Sequence, residues 1–232
     1  MRLLYLLTVV FCFGCNTATS KEPADNASDV PKFGSLKQPE AWQGDTVKVL
    51  QLLERCDKKQ FAEVLPEAQE FVKKHPYDGK GWLALASAQH GLKKYDEAKQ
   101  AYAKAIGFYE LGGLIGLGAM YHDSGENAKA IEVYRELLKH NNVMIGAIQL
   151  TRVYLIEKKY SEAVEIAQAG FAKHPRDPVW AANLALAYHF NKDLANRDKY
   201  MNIAKEKRLP TETQQYFEKL FSGNADIPLY DK

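Results

Sequence analysis

Cysteine is scarce in this chain, and neither sign of charge is in strong excess. The 232 residues include 3 cysteines, and Lys+Arg 31 against Asp+Glu 29 gives a formal net charge of +2. Proteins that bind nucleic acid by neutralising phosphates carry a large positive excess, so we expect no nucleic-acid partner. The chain is 46% hydrophobic and can bury a substantial core, which excludes disorder throughout.

The sequence motifs that carry enzyme chemistry are also missing. After residue 15 there is no phosphate loop ending in Gly-Lys-Ser/Thr, no His-Glu-x-x-His, no Gly-x-Ser-x-Gly and no Cys-x-x-Cys. The glycine-rich stretch at residues 112–118 follows no predicted strand, so it does not indicate a dinucleotide-binding loop. We interpret these glycines as loosening a helix. The sequence therefore predicts neither an enzyme nor a bound cofactor.

The longest apolar run lies at the amino terminus, between Leu3 and Phe13, and follows Arg2. It is shorter than the roughly 20 residues needed to span a bilayer and has the length of a signal-peptide core. The run ends in Gly14-Cys15 and resembles the lipobox of bacterial lipoproteins, although Cys12 and Phe13 stand where that family usually has Leu and then Ala or Ser.

The lipobox resemblance implies a signal peptide over residues 1–14 and a lipid on Cys15. The protein is then exported and anchored to the bacterial cell envelope, at the outer membrane or the periplasmic face. An ordinary secretory signal remains the alternative and implies a soluble secreted or periplasmic protein. Residues 15–44 are rich in polar and charged side chains, which predicts a lipidated amino terminus followed by a flexible linker. Cys56 is then the one cysteine left without a lipid, and we expect it in the core or a groove.

Residues 45–205 repeat with a period close to 34. Small residues in the predicted second helix of each repeat, Val64, Ala98, Ala130 and Ala163, are separated by 34, 32 and 33 positions. An apolar helix precedes each of them and carries a small residue, Ala86, Gly118, Thr151 or Ala185, where a second helix can approach closely. The pattern predicts helix pairs stacked side by side.

These repeats resemble the tetratricopeptide repeat (TPR) family. The second repeat has Trp82, Leu85, Tyr95 and Tyr102 at positions that match the family pattern, whereas the fifth has Arg197 where the family has Ala. In the first repeat Lys48 and Gln51 occupy expected apolar positions, which leaves open a shift of that helix by one residue. The resemblance implies an all-α fold, a right-handed superhelical solenoid of about five TPR-like helix pairs. Residues 206–232 are predicted to form a C-terminal capping helix and tail.

The TPR resemblance also implies a concave groove lined by positions 2, 5, 9 and 12 of each first helix. We expect the groove to be largely apolar, with Lys80 and Arg152 as its charges and no acid, and to bind an amphipathic or extended segment of a partner protein. The candidate groove residues are Lys80, Leu83, Ser87, His90, Ile115, Ala119, His122, Ile148, Arg152, Leu155, Leu186 and His189.

Two further patterns leave alternatives open. Three histidines, His90, His122 and His189, share one repeat position, but successive repeats are about 10 Å apart, so we expect no shared metal. Paired lysines recur in the turns between helices, either as a solvated edge or as a basic ridge for anionic groups.

We expect a membrane-tethered scaffold that binds a partner segment in its groove during cell-envelope assembly. The alternative is an envelope lipoprotein that binds a wall fragment or a metal through the basic edge or the histidines. The oligomeric state is left open.

Overall fold

Helices account for the regular structure of the part of the chain that the computed structural model describes, residues 30–37, 45–140 and 143–223, and no strand occurs there. The predicted signal peptide and Cys15 lie outside these ranges. None of the described helices has both the length and the apolar composition needed to cross a lipid bilayer. The helices are α1 Thr46–Asp57, α2 Phe61–Lys74, α3 Gly79–Gly91, α4 Tyr95–Gly107, α5 Leu111–Asp123, α6 Asn127–Lys139, α7 Val143–Ile156, α8 Tyr160–Lys173, α9 Pro178–Phe190, α10 Leu194–Glu206 and α11 Thr211–Phe221.

The predicted helix pairs are confirmed: α1 to α10 form five pairs, and α11 follows as the capping helix. Each pair is a first helix and a second helix. The small residues that define the period lie in the core, because Val64, Ala98, Ala130 and Ala163 are all fully buried. Cys56 is also buried, and its thiol lies 3.7 Å from the Ala84 carbonyl oxygen of the next first helix. The repeat period therefore reflects close packing between neighbouring helices.

The helices are grouped into two units, and the boundary lies at Leu137 in the last turn of α6. In the first unit α3 packs against α2, α4, α1 and α5, so the first helices α1, α3 and α5 lie side by side. In the second unit α9 packs against α7, α8, α10 and α11. We describe the two units separately.

Carboxylates cap the first helices at the repeat period. The side chains of Asp45, Asp78, Glu110 and Asp177 accept hydrogen bonds from backbone N–H groups in the first turns of α1, α3, α5 and α9. An acidic cap satisfies a free N–H group and interacts favourably with the positive end of the helix dipole. The first three caps are 33 and 32 residues apart, so they fix the register of the first helices of unit 1 independently of the apolar residues.

Glycines in α5 have a packing role that the sequence analysis did not predict: they let side chains of α4 and α6 reach the α5 backbone. In α5, a Cβ atom on Gly116 would overlap with the ring of Tyr102 in α4, and one on Gly118 would overlap with the ring of Tyr134 in α6. Both tyrosines are at most 2% exposed. The absence of side chains at these positions therefore lets two large rings pack directly on the α5 backbone.

The turns inside the helix pairs contain one residue with a positive φ. It is Lys59, Lys93, Lys158 or Lys192 in four pairs, with φ between 58° and 65°, and Gly125 in the third, with φ 82°. Residues with a side chain are strained there by roughly 1–2 kcal/mol, whereas glycine is not. The lysines of these turns are exposed, as expected for a solvated edge.

Substitutions at these turns provide a first prediction. Gly125→Lys is expected to lower the free energy of unfolding by about 1 kcal/mol, since a Cβ there meets no other atom and only backbone strain is added. Lys93→Gly is expected to change stability in the opposite direction by a similar or smaller amount. Urea unfolding of both variants measures the two effects, and a stabilising Gly125→Lys would contradict the assigned turn geometry.

Residues 30–37 pack against the end of α4, although composition predicts a flexible linker there. The N–H groups of Gly34 and Leu36 donate to the carbonyl oxygens of Ile106 and Gly107 at 3.0 and 2.9 Å. Phe33 meets the ring of Tyr109 edge to face, with centroids 5.4 Å apart. The linker prediction is wrong for this stretch because its apolar side chains and backbone N–H groups find partners on the solenoid.

The capping helix explains how the fifth repeat tolerates Arg197. In α10 the guanidinium of Arg197 lies 5.6 Å from the ring centre of Phe221 in α11 and donates to the Asp198 carboxylate at 2.7 Å. His189 of α9 packs against the same Phe221 ring at 5.0 Å. Since α11 covers this end of the fifth pair with an aromatic ring, the position that is Ala elsewhere accommodates a cation.

Candidate functional site

The first helices α1, α3 and α5 of unit 1 share one face that is defined by repeat position. Counted from the capping carboxylates, positions 2, 5, 9 and 12 form what we call the first-helix face of unit 1. Its members are Val47, Leu50, Glu54 and Asp57 in α1, Lys80, Leu83, Ser87 and His90 in α3, and Gly112, Ile115, Ala119 and His122 in α5.

The amino-terminal half of this face is apolar. Val47 and Leu50 are 69% and 47% exposed, which is unusual for large apolar side chains in helices, and Leu83 and Ile115 are partly exposed at the equivalent position of α3 and α5. Neighbouring packed helices lie about 8–10 Å apart, so the apolar row spans on the order of 20 Å across the three helices. A row of this length matches about 13 residues of a bound helix.

The first helix of the first repeat is shifted by one residue from the alignment that placed Lys48 and Gln51 at apolar positions. Val49, Leu52 and Cys56 are its buried residues. This shift brings two acids, Glu54 and Asp57, onto the first-helix face of unit 1. The predicted groove residues, which start at Lys80, include no acid; the two acids come from the first repeat. Desolvation, together with the nearby Glu54 carboxylate, raises the pKa of Asp57.

A buried polar cluster lies at the carboxyl-terminal end of the face. His90 Nε2 donates to Asp123 Oδ2 of α5 at 2.9 Å, and its Nδ1 lies 3.3 Å from the Tyr102 hydroxyl of α4. The side chains of His90 and Asp123 are 9% and 5% exposed, and Asp123 Oδ1 has no hydrogen-bond partner. Burial raises the pKa of the Asp123 carboxyl, and the hydrogen bond from His90 acts in the opposite direction. The repeat pattern predicts His90 as a member of the face but gives no signal for Asp123, which lies one residue beyond position 12 of α5.

The structure separates the predicted groove residues by exposure. In unit 1, Lys80 is exposed and Leu83, Ser87, Ile115 and His122 are partly exposed, while Ala119 and His90 are buried beneath them. In unit 2, Arg152 and His189 are partly exposed and Ile148 is 7% exposed. Leu155 and Leu186 are 2% exposed and belong to the core, which corrects their assignment as lining residues. Leu186 lies within a continuous buried run of α9, from Trp180 to Tyr188, so its side chain does not reach the surface.

The three histidines that share a repeat position have different partners. His90 pairs with Asp123, His122 Nδ1 lies 2.5 Å from the Asn127 side-chain oxygen, and His189 packs on Phe221. Desolvation and the nearby Arg197 and Lys192 lower the pKa of His189. Within residues 30–37, 45–140 and 143–223, no three His, Cys, Asp or Glu side chains are grouped in a way that could hold a metal ion. Nothing in this arrangement favours the metal-binding alternative.

Comparison with known proteins identifies the repeat. The family model described as "Tetratricopeptide repeat" matches residues 79–110, which comprise α3, α4 and the turn that follows. A search of curated proteins found no match. The resemblance inferred from the sequence is thus confirmed at the second repeat.

Solved structures show the same fold. The crystal structure of MamA is similar over 73% of this chain and 95% of its own, with 19% identity and a TM-score of 0.52. YrrB, a TPR protein described as having an unusual peptide-binding site, is similar over 75% of this chain and 92% of its own, with 12% identity and a TM-score of 0.51. A chain of the APC/C heterotetramer Cut9–Hcn1 is similar over 80% of this chain and 38% of its own length, with 16% identity and a TM-score of 0.57. The chain therefore has the all-α superhelical repeat fold of TPR proteins.

Proposed function

We propose that this protein is a non-enzymatic scaffold that binds a segment of a partner protein on the first-helix face of unit 1. The observation that carries the proposal is the row of exposed apolar side chains, Val47 and Leu50, continued by Leu83 and Ile115 on the adjoining helices. Exposed apolar side chains on neighbouring helices of a repeat protein mark an interaction surface. The peptide-binding site named for YrrB, which shares the fold, supports the same function.

Photocrosslinking tests this proposal directly. A photoreactive residue in place of Leu50 or Ile115 is expected to form covalent adducts with a partner protein in intact cells. The same residue at Glu132, which is exposed on the second helix α6, serves as the control. Equal adducts at all three positions, or adducts at Glu132 alone, would argue against the face.

A charge substitution is expected to separate binding from folding. Leu50→Glu adds a charge to an exposed position, so the free energy of unfolding should change by less than about 0.5 kcal/mol. Binding should weaken at least tenfold, because the carboxylate must be desolvated on contact with an apolar partner. Crosslinking from position 115 in the Leu50→Glu background measures the loss, and retained adducts would show that α1 takes no part in binding.

We propose further that a lipid on Cys15 tethers this scaffold to the bacterial cell envelope, where it serves in envelope assembly. The lipobox-like end of the apolar run supports the anchor. We predict that Cys15→Ser moves the protein from the membrane to the soluble fraction of lysed cells. The control is Cys56→Ser, which leaves the proposed lipid acceptor in place. A Cys15→Ser protein that still sediments with membranes would contradict lipid anchoring, and a wild-type soluble protein would favour the secreted alternative.

A further inference from the structure

We propose that the partner segment carries a basic side chain, Arg or Lys, and that the Asp123 carboxylate, next to His122 at the edge of the first-helix face of unit 1, receives it. This inference rests on the proposed function, because it specifies the chemistry of the segment bound there. It extends that function from an apolar contact to a charge-specific one.

Asp123 lacks a hydrogen-bond partner for one of its two carboxylate oxygens. Its Oδ2 accepts from His90, which fixes the carboxylate between α3 and α5, whereas its Oδ1 has no hydrogen-bond partner even though the side chain is 5% exposed. Buried carboxylate oxygens are ordinarily paired, and an unpaired one carries an uncompensated desolvation cost. A donor supplied by a bound partner removes that cost, so binding and pairing are coupled.

The charged groups around Asp123 do not fully compensate the burial of its carboxylate. The charged groups that act on its carboxylate are His90, His122 and Lys93; burial and, to a lesser extent, the Asp123 charge raise the pKa of nearby Tyr95. Even with these neighbours, burial dominates and raises the pKa of Asp123. A guanidinium or ammonium group near Oδ1 would favour the ionised form, as an opposite charge does at short distance.

Charge complementarity also favours a basic segment. Glu54 and Asp57 are at positions 9 and 12 of α1, and Asp123 of α5 lies just beyond position 12, so acids lie on both sides of α3. Lys58 forms an ion pair with Glu54 at 2.8 Å. Asp57 remains without such compensation, because desolvation and the Glu54 carboxylate both raise its pKa. An amphipathic segment with its apolar side chains on Leu50, Leu83 and Ile115 would place a basic residue within reach of these carboxylates. An acidic segment would be repelled.

Selection from a displayed library of random 15-residue peptides tests the inference. The full chain, purified in detergent and immobilised through a C-terminal tag, is the bait. Enriched peptides are expected to contain Arg or Lys next to apolar residues spaced by three or four positions. Synthetic copies are then measured by fluorescence anisotropy, and Asp123→Asn is expected to weaken their binding about tenfold at low salt. Asp96→Asn, a matched change at an exposed position of α4, should leave the affinity unchanged.

The outcomes separate this inference from the proposed function. Peptides without basic residues, or equal affinity for Asp123→Asn and wild type, would overturn the inference; if Leu50→Glu still abolishes their binding, the proposed function stands. If no peptide is enriched, or Leu50→Glu has no effect, both fail. If Asp123→Asn unfolds at a lower temperature than wild type, the double variant Glu54→Gln/Asp57→Asn replaces it in the anisotropy measurement. Both of these carboxylates are exposed, and their joint removal should weaken binding about threefold and flatten its salt dependence.

Discussion

Gly170→Ala is expected to lower the free energy of unfolding by about 2 kcal/mol. Gly170 lies in α8, and a Cβ atom added there would overlap with the six-membered ring of Trp180 in α9. Trp180 is 1% exposed and is stacked against His174 with ring centres 5.7 Å apart, so the ring has little room to move. Overpacking of a rigid core costs about 1–3 kcal/mol, and the better helix propensity of alanine offsets only about 1 kcal/mol.

A second substitution isolates the overlap between Gly170 and Trp180. Trp180→Leu alone is expected to be destabilising, since it leaves a cavity where the ring was. In the Trp180→Leu background, however, Gly170→Ala should cost nothing or stabilise α8, because the overlapping ring is gone. Urea unfolding of the two single variants and the double variant gives the coupling energy. Additive effects would contradict the close approach of α8 and α9 at this point.

The helix pairs are the part of the fold that the sequence predicts well. Small residues such as Ala98, Ala130 and Ala163 recur at the repeat period because each sits where two helices are closest, and this is a local requirement that any stacked pair must meet. The acidic caps Asp45 and Asp78 carry the same information, and a search for acids at that period would have found them.

The register of α1 was harder to predict for a physical reason. Val47, Val49, Leu50 and Leu52 put apolar residues on two sides of the helix, so helical periodicity alone does not tell the buried side from the exposed one. Packing against α2 and α3 selects Val49 and Leu52 for the core. The cap at Asp45 indicates the same register from the sequence.

Burial of the predicted groove residues depends on neighbours that the repeat position does not encode. Ser87 and Leu186 occupy the same position of the family pattern, yet Ser87 is partly exposed whereas Leu186 belongs to the core. The pairing of His90 with Asp123 is likewise a tertiary contact between residues 33 positions apart. Sequence spacing therefore locates the face but not the exposure or partners of its members.

His90→Ala is expected to lower the free energy of unfolding by about 3 kcal/mol at neutral pH. The substitution leaves the Asp123 carboxylate buried without the one hydrogen bond that it accepts in the wild type. Removing one member of a buried ion or hydrogen-bonded pair costs about 3–5 kcal/mol, mostly through the stranded partner. His90→Gln, which keeps a donor near Asp123, should cost much less.

The pH dependence distinguishes a stranded carboxylate from simple loss of packing. The folded-state pKa of Asp123 is raised above its unfolded value, so its contribution to stability is fully present below the unfolded pKa and is lost as the pH rises through the folded pKa. Without His90 that pKa rises further. The loss of unfolding free energy in His90→Ala relative to wild type should therefore shrink as the pH is lowered from 7 and Asp123 takes up a proton.

Asp123→Asn provides the control for this prediction, because it removes the charge but retains the shape of the side chain. In the Asp123→Asn background, His90→Ala should cost about 1–2 kcal/mol, the loss of a neutral hydrogen bond and some packing, and this cost should not vary between pH 4 and 7. Thermal and urea unfolding of the four proteins at both pH values measure the cycle. If His90→Ala lowers the free energy of unfolding equally in the wild-type and Asp123→Asn backgrounds, at both pH values, His90 stabilises the fold through packing alone. Asp123 would then not depend on His90 for charge compensation.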